Sequence, residues 1–528
     1  MKKIYSIIAL SGLLALSACN LDMSPVDFNS AGNFWTSEAK VQTFYNGMLS
    51  YLRADYTSPC VLGEFRGGTI KYGSSIEGVG LNYGGLAHND PIDAENPQVS
   101  NWNGYYGRIL QINDMIDHLE GACEFLDDAT RNLYRGRAYG MRAYYYFMMY
   151  RTFGGVPLET TVKVASGKVD VNDLYMARST AEETLQFIKD DIKRSEDGYG
   201  NNRDVARTGW SYFATEMLKA QVYLWSAKVT TNFVDKDGNT SGTHTATGSA
   251  SEFQTAKEAL MNIVNSRQFA LEGNFADLYA NNNKAGKEVI LANSFSYTES
   301  TNNYIQIFSY QAPIWCNSFY DEDGNLLADP LDLCGTGIHR VEYLESFIKS
   351  FDKADSRRSA TFHECYSQTG EFGSAMIKYL GHKEGDIRYA DTDIILMRYA
   401  DVLLSLAEVE NSLGNYSAAA GYVNQIRERA YGAGYPVFET SDFATTELAI
   451  LKERDKEFVA EGTRWFDLIR MQDASKQPLV FSAAAAYAET YGESAQPVLS
   501  TGEKQKLLWP IDATVLANDN LIVQTYGY

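Results

Sequence analysis

An uncharged, mainly apolar run spans residues 4–16 directly behind Lys2 and Lys3, and the small residues after it end at Cys19. Its length suits the core of a secretory signal, whereas a spanning helix needs roughly 20 apolar residues. Residues 20–32, with Pro25 among polar neighbours, read as a tether, and residues 34–52 are amphipathic and predict a first helix. Residues 131–150 bring Leu133, Ala138, Met141, Tyr145 and Met148 to one face at helical spacing. Ser179 followed by Glu182 matches a capping box ahead of a stripe of Leu185, Ile188 and Ile192. Further helices are predicted over 210–228 and 252–267, joined by a Thr/Ser/Gly-rich loop at 230–251. From about residue 270 the helical period fades into a stretch crowded with Gly, Asn, Asp and aromatics, and it resumes over 394–430. Leu451, Phe458 and Trp465 then recur every seven residues with Leu468 and Ile469 beside them, predicting one shared helix face. The expected layout is a signal peptide over 1–18, a tether over 19–32, helical regions over 33–268 and 393–528, and a loop-rich region between them over 269–392.

The helices carry a repeat signal. Ala407, Gly414, Tyr416 and Ala419 fall where a tetratricopeptide unit sets small residues and an aromatic between its two helices, and Phe253, Ala256 and Leu260 echo the second half of such a unit. Small residues let paired helices approach closely, and neighbouring pairs stack to bury a continuous core. An irregular helical bundle is the competing reading. The chain of 528 residues exceeds what one hydrophobic core usually serves, so sub-domains or a solenoid are expected.

At the N-terminus, Leu16-Ser17-Ala18-Cys19 makes the lipoprotein reading the sharpest one: cleavage leaves Cys19 first and acylated, with two or more chains giving stable anchoring. The formal charge of −21 becomes −23 when Lys2 and Lys3 leave, and no Lys/Arg stripe offsets it, which argues against nucleic-acid binding. Beyond Cys19 stand Cys60, Cys123, Cys316, Cys334 and Cys365, with no Cys-x-x-Cys pair and no His at ligand spacing, so neither zinc nor any other metal or cofactor is expected. Cys316 and Cys334 stand close enough in sequence to staple a loop, and isolated buried thiols are an equal reading. Two Asp-x-Asp-Gly-Asn strings, at 235–239 and 321–325, put Gly fourth where a calcium loop needs it sixth, so they read as tight turns.

The segment 453–470 is dense in charge, and Arg454 with Glu457, Glu461 with Arg464 and Asp467 with Arg470 stand at the spacing where side chains meet on a helix. An acid/base role for Glu457 and Glu461 is disfavoured, because adjacent arginines hold carboxylates ionised and a general acid needs a raised pKa. Ion-pair lacing around a buried Trp465 is the better reading, and no catalytic residue is assigned.

The same segment resembles the C-terminal signature of SusD/RagB-type outer-membrane nutrient-binding lipoproteins of Bacteroidetes, in Glu453-Arg454 and in Glu461-Gly462-Thr463-Arg464-Trp465-Phe466-Asp467-Leu468. Leu21-Asp22-Met23-Ser24-Pro25, Phe34-Trp35 with Tyr45-Asn46-Gly47, Arg398-Tyr399-Ala400-Asp401, and the tail Trp509-Pro510-Ile511 with Asn520 and Gly527-Tyr528 agree with it in family order. The resemblance implies a mainly α fold of tetratricopeptide-like helix pairs supporting a loop-rich, irregular ligand-binding face. It also implies a non-catalytic, lipid-anchored protein at the cell exterior that binds a glycan, or less often a peptide, for a SusC-like TonB-dependent transporter. A secreted glycoside hydrolase and a scaffold that binds only its barrel are the rival readings.

A sugar presents C–H patches on its faces and hydroxyls around its edge, so its site needs flat aromatics beside amide, carboxylate or guanidinium groups. Loops supply these better than packed helices. Two stretches qualify, residues 67–103 and 295–320. The expected ligand contacts are Tyr83, Asn82 and Trp102 in the first, and Trp315, Asn317, Tyr320, Tyr297 and Tyr304 in the second. Trp102 has a rival role as the plug of a helix start, and the tyrosines as packing beneath their own loop.

Overall fold

A computed structural model describes residues 34–72, 92–93, 102–163, 169–308, 319–327 and 341–528. Cys19, Cys316 and Cys334 lie outside the described residues; Cys60, Cys123 and Cys365 are buried free thiols. The helices include α1 (Glu38–Ala54), α2 (Ser58–Gly63), α3 (Asn103–Gly121), α4 (Asp128–Phe153), α5 (Ala181–Tyr199), α6 (Tyr212–Lys228), α7 (Ala250–Ser266), α8 (Tyr399–Ser412), α9 (Tyr416–Tyr431), α10 (Phe443–Glu457) and α11 (Arg464–Arg470), besides short helices such as Ser356–Thr361 and Ala513–Asn518. From α3 onward each helix to α9 packs on the one before it, and α10 closes on α8 and α9. Ala407 and Ala419 are fully buried where α8 meets α9, and Gly414 takes φ +81° in the turn between them, as a hairpin stack requires.

Local chemistry sets the helix ends. Asp127 accepts from the Thr130 N–H at 2.8 Å to start α4. The capping box of α5 sits one residue later than the sequence predicts. The Ser179 N–H is engaged by the Val156 carbonyl, so Thr180 is the cap, accepting from Glu183 N at 3.0 Å while the Glu183 carboxylate accepts from Thr180 N at 2.9 Å. Helix α4 packs against α3, α5 and α6. It is accordingly buried on most sides from Ala138 to Phe153, beyond the single stripe expected.

Among the described residues, ten short strands serve the irregular region. They form the pairs β1 (Ile70–Tyr72) with β5 (Val341–Tyr343), β2 (Val289–Asn293) with β10 (Ile394–Arg398), and β8 (His382–Glu384) with β9 (Ile387–Tyr389). A four-stranded sheet runs in the order β4 (Leu326–Leu327), β3 (Phe319–Tyr320), β6 (Phe362–Tyr366), β7 (Phe372–Met376). The helix expected from residue 394 therefore begins only at Tyr399. Ile394, Ile395 and Met397 are buried against β2, and the Tyr399 N–H donates to the Glu288 carbonyl where the chain turns from strand to helix.

The face predicted from Leu451, Phe458 and Trp465 is buried as expected but is not one helix. Helix α10 ends at Glu457 and α11 begins at Arg464, with Ala460 (φ 57°) and Gly462 (φ 74°) in the left-handed region between them. The break lets this segment touch α2. A Cβ on Gly462 would lie 2.1 Å from the Pro59 carbonyl oxygen, and one on Gly63 would lie 1.8 Å from that of Gly462.

The charges form structural ion pairs and Trp465 is fully buried, as expected, but most pairs are not local to the segment. Only Asp467 and Arg470 pair at the expected spacing, at 2.8 Å; the others reach across the molecule and are buried. Arg398 holds Glu288 at 2.8 Å, Glu457 at 2.6 Å and Glu461 at 2.8 Å, while Arg357 and Arg429 also grip Glu457. Arg454 joins Asp401 to Asp467, and Arg464 holds Asp455 and donates to the Gly67 carbonyl at 2.6 Å. Burial pushes the Glu457 carboxyl up, but the surrounding guanidiniums outweigh it and hold the group well below the usual range, so it cannot serve as a general acid at neutral pH.

Removing one partner of a buried ion network strands the rest. Arg398→Met is therefore expected to cost about 3–5 kcal/mol of stability, whereas breaking the exposed Lys353–Glu322 pair should leave the unfolding midpoint nearly unchanged, both measured by denaturant unfolding. Gly462→Ala is expected to cost at least about 1–3 kcal/mol through its left-handed backbone alone, with the Pro59 clash added, read as a lowered melting temperature.

Candidate functional site

The two aromatic stretches start from one footing. Strand β1 leads into the first and β5 is its antiparallel partner, with Ile70 opposite Tyr343 and Tyr72 opposite Val341. The short helix Tyr304–Phe308 leads the second, and Phe308 stacks on Tyr343 at 5.6 Å with Phe65 edge-on at 6.3 Å. The chain thus leaves the described residues at 72 and 308 from neighbouring points. Tyr83, Asn82, Trp315 and Asn317 lie outside the described residues.

Two expected contacts are corrected. Trp102 is 5% exposed at the start of α3, edge-on to Tyr106 (5.8 Å) and Phe153 (5.5 Å): the apolar ring plugs the helix start. Tyr304 is 1% exposed, donates its hydroxyl to the Ala460 carbonyl at 2.6 Å and lies against Tyr379 at 4.8 Å, so it ties the loop base to the α10–α11 break. Tyr320 is half-buried on β3 opposite Tyr366, whose ring meets Phe372 edge-on at 5.6 Å. Asn325 folds back on Asp321 beside it in a closed turn, and the string at 235–239 does the same.

Tyr297 is the expected contact that the fold leaves open, at 43% exposed. The β8–β9 hairpin brings Tyr389 to 4.8 Å and His382 to 5.2 Å from its ring, and the strand register sets His382 opposite Tyr389, the two rings stacked at 5.5 Å. Asp391 fixes the group: its carboxylate lies 2.8 Å from His382 Nδ1 and accepts from the Tyr297 N–H and from Lys284 Nζ, each at 3.3 Å. Negative charge on Glu384 beside the Tyr297 hydroxyl raises that phenol above its ordinary range. The result is an exposed tyrosine ring backed by two half-buried rings, with the exposed Glu384 beside it and the buried Asp391 holding it in place, able to take a sugar face on Tyr297 and a hydroxyl on Glu384. Sequence reasoning missed His382, Glu384, Tyr389 and Asp391. The available signal was the Gly385-Asp386 turn between alternating residues, which marks a hairpin.

Among the described residues no group of three or more His, Cys, Asp or Glu stands where it could hold a metal ion, and no helix is long and apolar enough to cross a membrane.

Beneath the loop footing, Glu64 accepts from the Tyr343 hydroxyl at 3.0 Å, and burial pushes its carboxyl up to about 7. A folded-state pKa above the unfolded one contributes stability below about pH 4.5 that is lost as pH rises through 7. Melting temperatures at pH 5 and pH 8 should therefore differ less in Glu64→Gln than in the parent; an equal difference would remove Glu64 as the cause.

The SusD family model matches residues 365–528, and a SusD-like model described as starch-binding and associating with the outer membrane matches residues 22–224. A SusD superfamily protein of Bacteroides fragilis is similar in structure with a TM-score of 0.83 and 34% identity, covering 94% of this chain and all of that one. NanU of B. fragilis follows at 0.77 and 30%, covering 96% of this chain and 100% of its own. The SusD-like protein P38 of Formosa agariphila is 26% identical over 521 residues, covering 90% of this chain and 93% of the relative.

Proposed function

The chain belongs to the SusD superfamily, and from that premise we propose that it is a non-catalytic lipoprotein of the outer membrane that captures oligosaccharides at the cell exterior for a SusC-like TonB-dependent transporter. The observation that carries the binding reading is the exposed ring of Tyr297, backed by the half-buried rings of His382 and Tyr389, with the exposed carboxylate of Glu384 beside it. The matched description of residues 22–224, starch-binding and associating with the outer membrane, supports both the ligand class and the location. Anchoring falls to acylated Cys19. The carboxylates of the charged C-terminal segment are engaged by buried arginines, which leaves them to hold the fold and speaks against a hydrolase. In the proposed site Tyr297, backed by Tyr389, stacks on a sugar ring, with Trp315 and Tyr83 as further platforms, Asn82 and Asn317 as hydroxyl partners, and Tyr320 at a second edge.

A panel of polysaccharides and peptides, run by affinity electrophoresis on protein beginning after Cys19, tests the reading. Retardation by a glycan without release of reducing ends is expected. Tyr297→Ala and Tyr389→Ala should each weaken it roughly tenfold with the melting temperature unchanged. Binding to peptides alone would reassign the ligand, and binding to nothing would favour a scaffold for the barrel.

A further inference from the structure

Where α4, α6, α8, α10 and α11 converge, a cavity of about 70 Å³ remains that the binding reading does not use, lined among others by Tyr144, Arg151, Trp225, Asp401, Thr463 and Asp467. A water needs roughly 10–15 Å³ of such space, so several waters or one small ion with its shell fit. Three carboxylates line it, Asp401, Glu461 and Asp467, and all are already engaged, Glu461 by Arg398 and Lys378. Asp401 accepts from Arg454 at 2.6 Å, Gln221 at 3.1 Å and Ser405 at 3.2 Å, and Asp467 from Arg454 and Arg470 at 2.8 Å each.

The donors are in the opposite condition. Arg151 Nε and Trp225 Nε1 are buried without a hydrogen-bond partner. Arg454 and Arg470 pair with acids, but among the described residues Arg151 pairs with none; it lies over the rings of Phe466 at 4.0 Å and Phe147 at 4.4 Å. Burial accordingly lowers its guanidinium to about 10, with Asp467 and Asp401 offsetting only part of the cost. Arg151 is partly buried, and a cation drawn out of water without an ion pair is costly, as is a buried donor left without an acceptor. Water can accept one of these hydrogens but leaves the positive charge unmatched. A metal cation would meet the guanidinium and be repelled.

We propose that this cavity is a binding site for a small monovalent anion, chloride in ordinary media, held by the Arg151 guanidinium and the Trp225 indole N–H. The site would lock α4 and α6 to α11 from inside, independently of any glycan.

Bromide replaces chloride and scatters anomalously, so crystals grown in sodium bromide give the direct test. One anomalous peak within hydrogen-bonding reach of Arg151 and Trp225 is expected. In solution, the melting temperature should rise saturably with chloride above its value in gluconate of equal ionic strength, by on the order of 1–3 °C. Arg151→Met, which keeps an apolar stem between the two phenylalanines, should lose that increment. If the variant does not fold, the bromide peak in the parent protein decides alone. No peak, together with superposed melts in chloride and gluconate, overturns the proposal and leaves the cavity to water.

Discussion

Arg398 is the point on which the remainder depends. It stands at the last residue of β10, where strand becomes helix, and its guanidinium reaches acids from three separate places: Glu288 before β2, Glu457 at the end of α10, and Glu461 in the break before α11. Taking such charges out of water costs several kcal/mol per ion, and only good geometry with further hydrogen bonds offsets it. The geometry is good: Arg398 also donates to the Glu457 carbonyl at 2.7 Å, and Lys378 adds bonds of 2.7 Å to Val459 O and 2.5 Å to Glu461. A hydrophobic contact tolerates sliding, whereas a set of directed charges has one register. Strand, helix pair and break are therefore fixed relative to each other by direction as well as by burial.

That fixity divides labour within the irregular region. Tyr304 and Lys378 fasten its base to the backbone at 459 and 460, Phe308 and Tyr343 floor it, and Glu64 satisfies the Tyr343 hydroxyl. With the base held by these groups, rings further out such as Tyr297 need not support the core. The hairpin that carries His382 and Tyr389 is exposed at Ile387 and Glu384, as a contact surface on a rigid mount is expected to be.

The stacked helices were legible in the sequence because their signals are local: apolar spacing, capping residues, small residues at crossings. Ala407, Ala256 and Leu260 are fully buried between helices, as their spacing implied. What could not be read was long-range pairing. Arg454 and Glu457 stand at perfect helical spacing, yet each finds partners from other helices, because a buried charge needs several ligands and one neighbour on its own helix is not enough. The break at 458–463 was hidden for a related reason: Gly462 looks like a flaw in a heptad until the approach of Pro59 is known. At the candidate site, Tyr297 was legible as an aromatic in a polar loop. His382 and Tyr389 were not, since only the hairpin register brings them beneath it. Tyr304 and Trp102 have the same composition around them as true surface rings, and burial alone tells them apart.

The bond from Arg464 to the Gly67 carbonyl joins residues 397 positions apart, and Gly462 meets Pro59 at the same seam. A chain made from its N-terminus holds α2 early but cannot seat it against this segment until the last eighth of the polypeptide has arrived. Closing so large a loop demands that most other order already exist. The seam is thus closed last in the order of synthesis: a product truncated before residue 462 leaves α2 without the segment it packs against and Gly67 without its arginine.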